Sequence, residues 1–149
     1  IRSEGRYNSG VGFAVPVDIV KRVVPSLMSE GRHRYPYLGI SANSFFSVAD
    51  LYEDLNLPSQ WGILIDQVVP GGPADKAGLR GATERVEVCG VQVGVGGDII
   101  LAIDGYELRD FDALIAYLVR ETSVDQTVTL TVLRDKETIK VPLMLGERP

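Results

Sequence analysis

At 149 residues, 45% of them hydrophobic, the chain has room for one compact domain of ordinary size plus a short flanking element, and no run approaches the ~18 apolar residues of a membrane span. Its net charge of −5 is unevenly spread: residues 1–36 carry six Lys/Arg against three Asp/Glu, while residues 37–149 carry nine against seventeen. An acidic body argues against a sequence-independent nucleic-acid surface, which needs clustered Lys and Arg, and the single cysteine, Cys89, excludes an internal disulfide or a cysteine-rich metal site.

In chain order, the segment Gly10-Val11-Gly12-Phe13-Ala14-Val15-Pro16-Val17-Asp18 predicts a strand leading into an apolar helix from Ile19 to Met28. The basic stretch Gly31-Arg32-His33-Arg34-Tyr35-Pro36 reads as a linker. Its Arg32 and Arg34 either are solvated or add positive charge to the loop that begins at Tyr37. In that loop, Tyr37-Leu38-Gly39-Ile40, a glycine between apolar residues lets the backbone turn tightly and aim the N–H groups of Leu38, Gly39 and Ile40 at one anion, such as a carboxylate. Continuing through Ser41, Ala42 and Asn43, the strand would present an open edge to an added peptide strand.

Residues 44–58, with Phe45, Phe46, Val48, Leu51, Leu55 and Leu57, predict an amphipathic helix ending before Pro58. Trp61 to Gly78 contains a buried strand, a Pro-Gly-Gly-Pro turn and a short helix closed by Gly78. The alternating valines of residues 82–97 around Cys89-Gly90 predict an inserted hairpin, read as a surface excursion without a ligand role or else as a docking arm. Residues 96–107 form a strand closed by an Asp-Gly turn. Asp110 then caps a helix carrying Phe111, Leu114, Ile115 and Leu118 on one face. Two alternating strands, Thr127 to Arg134 and Thr138 to Leu143, complete the chain around the turn Arg134-Asp135-Lys136-Glu137.

Taken in order, the segments from residue 37 onward resemble a bacterial-type PDZ domain. The Gly-Phe-Ala-Val-Pro segment and its helix resemble the end of the trypsin-like domain in HtrA/Deg-type serine proteases. The resemblance implies a mainly β fold with helices (α+β), a partly open β-barrel or sandwich capped by two helices, preceded by a strand-helix remnant of a trypsin-like β-barrel. It divides the chain into residues 1–30 (protease-domain end), 31–36 (linker) and 37–146 (PDZ domain, with the hairpin at 82–97).

The same resemblance implies a peptide lying between the strand after Gly39 and the helix from Phe111 to Leu118. Leu38, Gly39 and Ile40 would bind its carboxylate, Ser41, Ala42 and Asn43 would pair with it, and Ile40, Leu114 and Leu118 would line the pocket for its last side chain. Ile115 is assigned to plain core packing. An apolar last residue would gain about 1.5–3 kcal/mol from burial in such a pocket.

Two catalytic readings fall away. Asn8-Ser9-Gly10 departs from the family's Gly-Asn-Ser-Gly-Gly-Pro loop, because Tyr7 replaces the leading glycine and Val11 a later one, and Ser9 directly abuts the segment it should precede by a strand and a loop. His33, the one histidine, sits between arginines in the linker, where exposure is expected. No catalytic residue is therefore assigned within the chain, the triad of a parent endopeptidase being expected upstream of Ile1. No cofactor is expected, and one His and one Cys at unrelated positions make no metal ligand set. The implied partners are C-termini or exposed segments of unfolded proteins, the protein's own protease domain and a homotrimeric parent assembly in an extracytoplasmic compartment, with no nucleic acid. A PDZ scaffold module without proteolytic output is the alternative.

Overall fold

The computed structural model describes residues 14–43 and 46–149, so Ser9, the segment 10–13 and Phe45 lie outside the described residues. The chain divides into two units between His33 and Arg34.

In the first unit, residues 14–16 have no regular structure and α1 spans Val17–Glu30. Gly31 ends the helix in the left-handed region (φ 71°), its N–H donating to the Leu27 carbonyl. His33 is half-buried rather than exposed, with Nδ1 2.6 Å from the Ser26 hydroxyl, which also donates to the Val23 carbonyl. A hydroxyl one turn before the helix end gives the imidazole a nearby partner that linker composition does not reveal.

The second unit is built on an open antiparallel sheet. Its strands are β1 (Pro36–Tyr37), β2 (Ile40–Ala42), β3 (Ile63–Val68), β4 (Glu84–Val88), β5 (Val91–Val95), β6 (Ile99–Ile103), β7 (Tyr106–Glu107), β8 (Thr127–Arg134), β9 (Glu137–Met144) and β10 (Gly146–Glu147). The order β2-β3-β6-β8-β9 forms the main sheet, with β7 also on β6, while β1 pairs with β10 and β4 with β5. Three tight turns close the hairpins: Cys89-Gly90, Asp104-Gly105 and Asp135-Lys136 all have positive φ at both positions. That backbone twist matches the twist of the flanking strands.

Three helices complete the unit: α2 (Val48–Leu51), α3 (Pro73–Lys76) and α4 (Phe111–Glu121). The sheet buries Ile65, Ile100, Ile103, Leu130 and Val132 together with Ala74 of α3 and Leu114 and Leu118 of α4. Asp110 caps α4 by accepting the Ala113 N–H at 2.7 Å. At its other end the Thr122 hydroxyl donates to the Leu118 carbonyl at 2.8 Å.

Two expectations change. The helix read into residues 44–58 is only one turn, α2, held by a reciprocal cap in which Asp50 N–H donates to Ser47 Oγ and Ser47 N–H donates to Asp50. Asn56 with φ 48° turns the chain before Pro58. The hairpin, in turn, is not a plain surface excursion, because one of its faces is buried. Val93 is fully buried with Val48, Leu51, Leu64 and Ile99 in a second cluster, and Val86, Val88 and Val95 pack against it. Arg85 Nη2 stands 2.9 Å from Asp66 Oδ1 and ties β4 to β3. Alternation in a hairpin marks a buried face, but not which neighbour covers it.

Candidate functional site

The loop between β1 and β2 owes its shape to its carbonyls. Leu38 C=O accepts the Ala74 N–H at 2.8 Å and Gly39 C=O accepts the Val69 N–H at 2.9 Å, so both oxygens are turned inward onto α3 and the end of β3. Among the described residues neither the Leu38 nor the Gly39 N–H donates to a backbone carbonyl. Two donors with committed carbonyls and free hydrogens are the makings of an anion nest. Gly39 has φ +83°, and a Cβ there would meet only ordinary contacts of 3.4 Å or more. Backbone conformation rather than space therefore requires the glycine, at a cost of about 1–2 kcal/mol for another residue.

From this loop β2 runs outward as the edge of the main sheet. It pairs with β3 through Ile40↔Val68, Ser41↔Gln67 and Ala42↔Ile65, with an irregularity between Ser41 and Ala42. Its other edge pairs with no strand among the described residues. Such an edge can accept an added strand. Asn43 lies past the strand, and its side chain accepts the Phe46 N–H at 3.0 Å, so it turns the chain.

Between β2 and α4 lies a cavity of about 650 Å³, lined by Leu38 to Asn43 on one side and by Phe111, Leu114, Ile115, Leu118 and Val119 on the other. Its size lies within the 300–1,000 Å³ usual for ligand sites. Every residue that the sequence singled out for the loop, strand and pocket lines this cavity. Leu114 and Leu118 do so from within the core, at 1% and 4% exposed. Ile115, assigned to core packing, is instead 45% exposed and faces the groove. On a helix the two assignments differ by a rotation of one residue, so periodicity alone does not separate the core-facing side from the groove-facing one.

Other lining residues carry no sequence signal as site residues: Phe46, Val48, Asp110, Asp112 and Arg148. Arg34, a candidate for strengthening the loop, donates to Glu147 at 2.7 Å and stands 3.6 Å from Asp125. The Glu147 hydrogen bond and charge, aided by Asp125, raise its pKa above the usual guanidinium value.

Comparison with known proteins points the same way. The sequence pattern described as "PDZ domain" matches residues 36–145. A "Probable periplasmic serine endoprotease DegP-like" from Hahella chejuensis is 31% identical over 94% of this chain and 26% of that protein. The "Protease Do-like 1, chloroplastic" of Arabidopsis thaliana is 34% identical over the whole chain and 31% of that protein. The present chain thus spans less than a third of these relatives. Among solved structures, "HtrA-type protease AlgW with decapeptide" superimposes with a TM-score of 0.71 at 26% identity, covering all of this chain and 40% of that one.

Proposed function

The chain belongs to the PDZ domain family, and from that premise we propose that it is the substrate-sensing part of an HtrA/Deg-like serine endopeptidase, binding the C-termini or exposed segments of unfolded proteins in the groove between β2 and α4. The observation that carries this reading is one apolar cavity bounded by an unpaired strand edge and by a loop whose carbonyls are tied inward. The loop amides take the ligand's carboxylate, Ile40, Ser41 and Ala42 extend the sheet through its backbone, and Ile40, Leu114, Ile115 and Leu118 surround its last side chain. Each charge-assisted bond adds about 1.5–3 kcal/mol net of the exchange with water.

Peptide-bound HtrA-type neighbours and endoprotease-named relatives support the reading. Residues 1–30 then belong to the end of a trypsin-like domain, 31–36 to its linker and 37–146 to the PDZ domain. The hydrolytic residues reside upstream in the parent protein, which works outside the cytoplasm as a trimer and receives peptides from this domain.

Fluorescence-anisotropy titration with peptides ending in a free apolar residue, each paired with its C-terminal amide, tests the groove. The expected result is at least tenfold weaker binding of the amide, about 1.4 kcal/mol. Equal binding of both forms would refute the carboxylate assignment, and no binding across a diverse set would refute peptide recognition.

A further inference from the structure

We propose that the groove reads charge along its length, selecting C-terminal segments that carry Lys or Arg about three residues before an apolar last residue. The inference rests on the peptide-binding reading above and adds a class of ligand to it. Among the residues lining the cavity the charged ones are Arg148, Asp110 and Asp112.

Arg148 and the two aspartates lie at opposite ends. β10 pairs Gly146 with Tyr37 and Glu147 with Pro36, and the Arg148 N–H donates to the Tyr35 carbonyl at 3.0 Å, which sets Arg148 beside the loop. Glu147, next along the strand, points to Arg34 and holds it, so the two arginines of this corner are differently engaged. Arg148 has no ion-pair partner among the described residues and lines the cavity. A ligand carboxylate held by the loop amides thus shares its cavity with an arginine.

The direction of α4 is set by its exit. Beyond its last turn, the Asp125 N–H donates to the Leu145 carbonyl at 3.0 Å, and Asp125 stands 3.6 Å from Arg34. The C-terminal end of α4 therefore lies by the loop, and its N-terminal end lies where β2 runs out towards Asn43 and Phe46. Asp110 and Asp112 stand at that far end. Asp110 caps Ala113 through one carboxylate oxygen, and Asp112 is exposed in the first turn.

Six residues of helix from Asp110 to the middle of the Leu114–Leu118 pocket span about 9 Å at ~1.5 Å per residue. An extended ligand covers that distance in about three residues at ~3.3 Å each. A ligand bound with its carboxylate at the loop brings the third residue before its end to the aspartates. Lys or Arg there is attracted, and Asp or Glu is repelled. Exposed pairs of this kind change affinity about two- to fivefold each and are screened by salt.

The test uses this chain and ten-residue peptides ending in the same free apolar residue, with Lys, Ala or Glu at the third residue before the last. Anisotropy titrations are run at 50 and 500 mM NaCl. The order Lys, Ala, Glu is expected, with about a five- to twentyfold spread between Lys and Glu that narrows in high salt. Asp110→Asn with Asp112→Asn retains a capping side chain and should abolish the spread, while Arg148→Gln should weaken all three free-acid peptides by a similar factor and leave the spread intact. Free-acid peptides that bind regardless of the upstream charge, or a spread that survives the double substitution, would overturn the inference and leave the peptide reading standing. Failure of every peptide to bind would overturn both.

Discussion

Removing Arg134 is expected to harm the fold more than neutralising its partner Asp98. Asp98 is 1% exposed, and its carboxylate accepts Arg134 Nε at 2.8 Å, Arg134 Nη2 at 2.6 Å and the Arg80 N–H at 2.9 Å. Arg134 also donates to the Gly78 carbonyl at 2.7 Å, so the pair joins β8 to the start of β6 and to the end of α3. Arg134→Met leaves a buried carboxylate with a single backbone donor, which costs about 3–5 kcal/mol. Asp98→Asn keeps the volume and one acceptor, and the Arg134 side chain, 19% exposed, turns towards water. The loss is then that of the charge-assisted bonds, about 1.5–3 kcal/mol.

The double variant should lie near Asp98→Asn alone, because it leaves no buried charge without a partner. Urea denaturation of the four proteins measures these differences, provided the slopes agree. Arg134→Met no more harmful than Asp98→Asn, or a loss below about 1 kcal/mol for either, would refute the reasoning. Bonding to Asp98 raises the Arg134 pKa against the effect of burial. A raised folded pKa means the stabilisation is whole below the unfolded value and is lost only as pH climbs through the folded one. The clamp should therefore be insensitive to the guanidinium's titration throughout neutral buffers.

Ile115→Ala and Leu114→Ala should separate binding from stability: the first weakens apolar-ended peptides while leaving the urea midpoint almost unchanged, and the second costs about 2–5 kcal/mol of fold stability. Matching losses of stability in both would contradict the exposed position of Ile115. Gly94→Ala would place a Cβ 2.2 Å from Asp66 Oδ1 and 2.6 Å from Ala82 Cβ, so it should destabilise by about 1–3 kcal/mol in the same assay. Asp50 is held below the usual carboxylate range by hydrogen bonds from Ser47, first the hydroxyl and then the backbone. Its stabilisation is present above the unfolded carboxylate pKa and fades as pH falls through the folded one. NMR titration should show Ser47→Ala moving the Asp50 midpoint upward, and an unmoved midpoint would show that the cap is not its cause.

Much of the second unit was legible because its signals are local. Asp104-Gly105 and Asp135-Lys136 lie between alternating runs that need a tight turn, Asp110 stands three residues before the N–H it caps, and Gly39 interrupts an apolar run where the backbone must take a positive φ. Each depends on residues within a few positions of one another, where covalent geometry restricts the choices. The α2 segment shows the limit of such signals, since its apolar spacing suited a longer helix while Asn56 and burial of Val48 and Leu51 against the hairpin stopped it after one turn.

The sequence by itself determined the longer strands from β3 to β9, the glycine loop and an apolar face on α4. Tertiary structure alone decided that the hairpin valines close a second core, that Ile115 turns to the groove, that Asp98 and Arg134 meet across 36 positions and that Arg148 arrives beside Tyr35. The difference is physical. Local backbone preferences act between neighbours, whereas burial and charge pairing act between surfaces that the sheet brings together from distant parts of the chain.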